Sequence, residues 1–84
     1  MARYFFHLHD GVDTLLDPEG RELDADQVVA AVLGEARAMI AADVLGGRIN
    51  LDQRIEVKDS AGKVVHQVAF QDAVEVFGAR PSVH

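Results

Sequence analysis

Residues 24–47, "DADQVVAAVLGEARAMIAADVLGG", decide the fold because they carry the clearest helical pattern in the chain. Asp24 is a favourable N-cap, and Gln27, three residues later, completes a capping box. Gly46 and Gly47 follow the last apolar position and supply a helix stop. The sequence therefore predicts one long helix that begins after Asp24 and ends at the two glycines.

This helix has two different faces. One face is a broad apolar stripe at helical spacing, which predicts contact with a core. The stripe consists of Val28, Val29, Val32, Leu33, Ala36, Met39, Ile40 and Val44. The opposite face is made of small residues, including Ala30, Gly34, Ala38 and Ala41. Two interpretations remain open: alanine is the best helix former and can face water, or this face packs on the terminal helix or a second copy of the chain.

The segment before the helix predicts a β-hairpin. In "RYFFHLHDG" (3–11), a period of two separates one set of side chains, Tyr4, Phe6 and Leu8, from the other, Phe5, His7 and His9. Asp10-Gly11 is a turn signal, and "DTLLD" (13–17) is predicted to return as a second strand. "DPEG" (17–20) is a further turn before the helix.

The segment after the helix predicts a second hairpin and a short helix. "QRIEVKD" (53–59) and "KVVHQVAF" (63–70) flank a short loop. The third strand directs Ile55 and Val57 to one side and Arg54, Glu56 and Lys58 to the other. The fourth strand has two possible registers, which place either His66 or Val65 on the core side. "FQDAVEVF" (70–77) changes to a helical period, with Phe70, Ala73, Val74 and Phe77 in phase.

These elements predict an α+β fold of order β-β-α-β-β. Four strands form one antiparallel sheet, the long helix packs on one face, and a short helix follows near the C-terminus. The core side of the sheet is predicted to carry Tyr4, Phe6, Leu8, Ile55 and Val57. Residues 1–78 form a single domain, and residues 79–84 are expected to be a flexible tail.

Composition limits the possible functions. The chain has 84 residues, 49% of them hydrophobic, and a formal net charge of −6, as expected of one small folded domain. No apolar run approaches the ~18 residues that cross a bilayer, and no signal-peptide core is present, so we expect a cytoplasmic protein without membrane contact. The basic residues are scattered, which argues against direct binding of nucleic acid.

The sequence offers little catalytic chemistry. It contains no cysteine, which excludes disulfides, thiolate nucleophiles and cysteine-ligated zinc. The hydroxyl candidates Thr14, Ser60 and Ser82 have no evident base and orienting acid, and no glycine-rich phosphate loop begins a helix. We therefore expect a protein that is not an enzyme and uses no cofactor.

The histidines are the remaining candidates for a site. His7 and His9 share one face of the first strand and could ligate a metal ion such as zinc, which needs a third ligand and usually a fourth. The candidates for these are Asp10, Glu56 and His66, and His66 would have to face the same way as His7 and His9. The alternative is that His7 and His9 are side chains on the solvent-facing side of the sheet. Paired histidines there could make an interface sensitive to pH.

Five stretches carry a resemblance to a known family: "RYFFHLHDG", "DPEGREL", the alanine-rich helix, "IEVKDSAGKVV" and "VAFQDAVEV". Together they resemble a family of short bacterial proteins described only as a domain of unknown function, which implies a small stand-alone domain. The order of elements and "DPEG" are also similar, more distantly, to the N-terminal domain of HicB-type antitoxins. That likeness implies the masking of a small basic protein partner.

The sequence thus predicts a non-catalytic interaction module that forms a homodimer. Two surfaces are candidates for the interface. They are the small-residue helix face (Ala30, Gly34, Ala38 and Ala41) and the outer sheet face around Phe5, His7 and His9. The free edges of the sheet are a further route. The alternatives are the HicB-like antitoxin and the histidine-based metal-binding protein.

Overall fold

The computed structural model describes residues 1–78, so the predicted tail of 79–84 lies outside the described residues. The elements are β1 (Ala2–His9), β2 (Thr14–Leu15), β3 (Arg21–Leu23), α1 (Val28–Leu45), β4 (Arg54–Lys58), β5 (Val64–Ala69) and α2 (Phe70–Ala73). This confirms the predicted α+β class, with an antiparallel sheet, one long helix and a short second helix. Within these residues, no helix combines the length and the apolar character needed to cross a bilayer.

Strand β1 organises the sheet. It pairs with β4 along one edge, while β2 and β3 share its other edge, and β5 completes the sheet beside β4. All of these pairings are antiparallel. The sequence analysis missed β3, because three residues, "REL", are too short to display an alternating pattern.

The predicted core side of the sheet is confirmed. Phe6 pairs with Val57 and Leu8 with Ile55 across β1 and β4, and all but Leu8, which is partly buried, belong to the buried core. The register of β5 is also settled. His66 pairs with Val57, with a register irregularity just before it in the strand, so His66 faces the side of the sheet that carries α1.

Helix α1 starts as predicted and covers the core with four residues at a spacing of four. Asp24 and Gln27 form the capping box, and one 3-10 turn at 25–27 precedes α1. The buried residues of α1 are Val28, Val32, Ala36 and Ile40. The prediction was wrong for Val29 and Val44, which are half exposed. Both lie toward the ends of α1, next to Val28 and beyond Ile40, the first and last of its buried residues.

Helix α2 is shorter than its sequence pattern predicts. It ends at Ala73, and Val74 is already extended. Arg37 of α1 donates a hydrogen bond from Nε to the Ala73 carbonyl at 2.8 Å, which occupies the acceptor that a continuing helix would offer to Phe77. The single turn that remains buries Phe70 and Ala73 completely.

Candidate functional site

Helix α1 packs on one side of the sheet, and within residues 1–78 no helix covers the other side, which we call the open sheet face. Alternate residues of β1 and β4 point to this side, and the strand register places them next to one another. They are Phe5, His7 and His9 of β1, and Arg54, Glu56 and Lys58 of β4. The predicted division of these two strands into faces is therefore confirmed.

The structure does not bring together the three histidines of the alternative metal site. His7 and His9 lie on the open sheet face, whereas His66 lies on the side of α1, opposite Val57. The metal triad was therefore wrong in its geometry, because it needed the other register of the fourth strand. Within residues 1–78, no group of three or more histidine and acidic side chains has the arrangement of a metal site.

His7 is tied to the loop that joins β2 to β3. Its Nδ1 accepts a hydrogen bond from the backbone N–H of Asp17 at 3.0 Å. A backbone N–H can only donate, so the neutral ring carries its proton on Nε2. The ring also stacks on Phe5, with centroids 6.4 Å apart and an angle of 13° between the planes. His7 is thus a structural contact of the sheet as well as part of its open face.

His9 lies between a hydroxyl and a carboxylate. Its Nδ1 is 2.9 Å from the Thr14 hydroxyl, and its Nε2 is 3.4 Å from Glu56 Oε1, with both side chains only 17% exposed. Nε2 is buried without a well-formed hydrogen bond. Lys58 approaches the same carboxylate oxygen at 3.7 Å. Protonation of His9 would complete a charge-assisted contact with Glu56.

Thr14, His9 and Glu56 lie in the order of a hydroxyl nucleophile, a base and an acid. An acyl-transfer site also needs free N–H donors that stabilise an oxyanion, and the adjoining turn does not offer them. The Asp10 carboxylate accepts the N–H groups of Val12 and Asp13 at 2.9 and 2.7 Å. These donors are therefore not free to stabilise an oxyanion. The two remaining hydroxyl candidates add nothing here: Ser60 donates to the Arg3 carbonyl, and Ser82 lies outside the described residues.

Asp17 is the polar side chain that holds β1, β2 and β3 together. Its carboxylate accepts backbone N–H groups from Phe6 at 3.1 Å, Glu19 at 3.3 Å and Gly20 at 3.0 Å. On this edge of β1, β3 pairs with residues 2–4 and β2 with residues 8–9, so neither strand pairs with Phe6. The Asp17 carboxylate accepts the Phe6 N–H in their place. Together with the bond from its own N–H to His7, Asp17 fixes the loop against the sheet.

The same contacts determine the ionisation of Asp17. Burial raises the pKa of its carboxyl, but the hydrogen bonds from Gly20, Phe6 and Glu19 and the nearby His7 together outweigh burial. The net effect is a pKa below the ordinary value of 3.8. The Asp10 pKa is lowered as well, first by the Asp13 N–H and then by the Val12 N–H. Sequence analysis assigned these acids to turn chemistry, which is confirmed. It missed the long-range contact from Asp17 to Phe6, because spacing along the chain carries no signal for it.

We expect Asp17 to make stability depend on acid pH. Because its folded pKa is lower than 3.8, its contribution is complete above the unfolded value and is lost as the pH falls through the folded value. Asp17→Asn cannot ionise, so its unfolding free energy should be lower than that of the unchanged protein at neutral pH. It should also fall less between about pH 5 and about pH 3. Urea titrations at each pH measure this, and parallel pH profiles for the two proteins would contradict it.

The small-residue side of α1 points away from the sheet, and we call it the outer α1 face. Ala30, Gly34, Ala38 and Ala41 are all exposed, and a side-chain carbon added at Gly34 would meet no atom within 4 Å. In the described chain this face therefore does not pack on α2, which removes one of the two packing partners predicted for it. Water and a second copy of the chain remain as the alternatives.

A groove of about 210 Å³ separates α1 from β2. Leu15 and Leu16 form one wall, and Arg21, which lies 4.4 Å over the Phe6 ring and contacts Glu35 at 3.2 Å, stands at its rim. This groove is smaller than the ~300–1,000 Å³ typical of small-molecule sites. Two more open grooves, of about 330 Å³ beside Ile49 and about 490 Å³ between Arg37 and Asp72, reach that size range.

A family model matches residues 3–71, and that family is described as a domain of unknown function, DUF6894. The match covers most of the sequence that carries the resemblance noted above. No curated protein and no solved structure matches the chain.

Proposed function

The chain belongs to the DUF6894 family, a domain of unknown function, and from this premise we propose that it is a non-catalytic protein interaction module that works as a homodimer. The surfaces described above support this proposal. Within residues 1–78 they offer hydrogen-bonded and apolar contact areas, and the N–H donors beside Thr14 and His9 are already taken up by Asp10.

The uncharged character of the outer α1 face is the observation that supports an interaction module, whichever partner this face contacts. A surface helix normally directs polar residues to the solvent. Here the residues opposite the buried row are Ala30, Gly34, Ala38, Ala41 and Leu45, and Leu45 is 90% exposed. An uncharged face of this length on a domain of 84 residues is suited to contact with another protein.

Two properties favour a second copy as a partner. A domain of this size buries only about two-thirds of its unfolded surface, so association adds apolar burial that the single chain lacks. Each copy has a net charge of −6, so two copies repel each other at long range, and uncharged contact surfaces keep like charges from lying directly opposite one another. The chain offers such surfaces.

Light scattering coupled to size exclusion tests the homodimer. We expect the mass to rise from that of one 9.1 kDa chain to twice that value as the concentration is raised through the micromolar range. Because like-charged copies meet through uncharged surfaces, added salt should screen the repulsion and strengthen association. A constant monomer mass up to high micromolar concentration would reject the homodimer.

The effect of salt on association also distinguishes the homodimer from the alternative function, the HicB-like antitoxin. The charge of −6 supports attraction to a small basic protein, and such a complex would weaken as salt is added. A complex of that kind with no self-association would favour the antitoxin-like function over the homodimer.

A further inference from the structure

We infer that the two copies of the chain join along the free edge of β5, so that both sheets continue into one another across a two-fold axis. This inference rests on the proposed homodimer and specifies its interface, the contact between the two β5 strands, which we call the β5 seam. Of the routes that the sequence suggested, it selects one free edge of the sheet and not the outer α1 face or the open sheet face.

The two edges of the sheet are built differently. The edge formed by β2 and β3 consists of strands of two and three residues. The loop between them contains Pro18, and β3 contributes the charges of Arg21 and Glu22. Short strands, proline and charge are the features by which natural proteins prevent an edge from pairing with another chain. This edge is protected.

Strand β5 lacks those features. It has six residues, "VVHQVA", without a formal charge at neutral pH and without proline. Its register irregularity falls at Val65, near the start of the strand, and leaves the stretch from His66 to Ala69 regular. In the part of the chain that the structure describes, β4 is the only strand that pairs with β5. An uncharged edge of this length is a template for strand addition.

The hydrogen-bond pattern shows which backbone groups are free at this edge. Phe70 donates its N–H to the Gln53 carbonyl of the segment before β4. Bonded and non-bonded pairs alternate in an antiparallel ladder, so the backbone groups of Val68 and His66 face β4. Those of Gln67 and Ala69 face away from it. A two-fold axis at Gln67 therefore lets the two Gln67 backbones bond to each other.

The apolar side chains near β5 favour a second copy as the occupant. Val64 and Val65, each 41% exposed, lie at its start. In a two-fold antiparallel pair, the start of one β5 lies beside the end of the other, so each copy brings these two valines toward the end of its partner's β5. A backbone ladder alone would not reach the ~600 Å² that each partner of a stable dimer buries.

Charge also favours pairing of β5 with itself. Each copy has a net charge of −6, so the seam has to bring backbone groups into contact without bringing acidic side chains together. The strand "VVHQVA" does this, because a neutral segment is complementary to itself. The dimer would place both outer α1 faces on the same side of the joined sheet, where a further partner could contact both.

Single-cysteine cross-linking tests the seam, and the absence of natural cysteines makes the result specific. Gln67→Cys places a thiol at the two-fold axis, where paired Cα atoms about 5.5 Å apart fall within the range that a disulfide spans. Ala38→Cys probes the outer α1 face. Val12→Cys, in the exposed β1–β2 turn, reports random collision. All three are oxidised at a concentration where light scattering shows the unchanged protein to be dimeric.

We expect Gln67→Cys to give a covalent dimer at least about tenfold faster than Val12→Cys, because a seam raises the effective concentration of the thiols. Ala38→Cys should remain at the rate of Val12→Cys. Rapid cross-linking through Ala38→Cys with Gln67→Cys at the collision rate would overturn the β5 seam and leave the homodimer standing. A monomer mass in light scattering would overturn both.

Discussion

Phe70→Ala is expected to reduce the unfolding free energy by about 3–5 kcal/mol, the range for a buried phenylalanine cut back to alanine. Phe70 is completely buried and is the largest fully buried side chain of the described core. At about 0.05–0.15 kcal/mol per residue, a chain of 84 residues has a total stability of about 4–13 kcal/mol. The loss is therefore a large fraction of the total, and a protein at the low end of this range would be largely unfolded at room temperature after the substitution.

The result identifies what α2 contributes to the fold. Phe70 stands at the first position of a four-residue helix that is too short to be stable by itself, so α2 persists because its side chains complete the core. Phe70→Leu keeps a large apolar side chain there and should cost clearly less than Phe70→Ala, because it leaves a smaller cavity. Urea denaturation at one fixed protein concentration compares the two variants. Equal small losses would mean that the core closes without Phe70.

Periodicity predicted the parts of the fold in which one chain segment determines its own pattern. The capping residues Asp24 and Gln27 mark the start of the helix, and alternation assigned Phe6 and Val57 to the core. Both signals are local, because a helix or a strand face repeats within a few residues. The class and the order of the main elements follow from them.

The predictions failed where a distant contact decides the local structure. The helical pattern continues to Phe77, but Arg37, which lies 36 residues before Ala73, takes the carbonyl at which α2 ends. Strand β3 exists because β1 offers it a partner, as in the pairing of Arg3 with Glu22. Neither the Arg37 hydrogen bond nor the pairing of β3 with β1 produces a periodic pattern in the sequence.

In the candidate site, too, the sequence predicted what local alternation determines and missed what long-range contacts determine. Sequence alone placed His7 and His9 on one face, but left His66 undecided, because one extra residue in a strand reverses every side chain after it. The irregularity at Val65 is such an extra residue. The role of Asp17 as an acceptor for Phe6 joins residues of two strands, and its sequence signal, an aspartate three residues before Gly20, indicates only the turn.

Gly20→Ala is expected to reduce the unfolding free energy by about 3 kcal/mol or more, a loss that only a few mechanisms produce. Gly20 has a φ of +69°, and a side-chain carbon there would lie 2.7 Å from the Tyr4 carbonyl oxygen and 2.9 Å from the Phe5 ring. The left-handed backbone alone costs about 1–2 kcal/mol. The contact with backbone adds to this, because β1 or the loop must shift.

Gly11→Ala is the matched control for this variant. Gly11 also has a positive φ, +93°, but an added carbon would meet nothing within 4 Å, so we expect a loss of only about 1–2 kcal/mol. The difference between the two variants in urea denaturation measures the close approach of the loop to β1. That approach is what lets Asp17 reach both Gly20 and Phe6. Equal losses would mean that the loop is free to move away from β1, and Asp17 would then not hold the strands together.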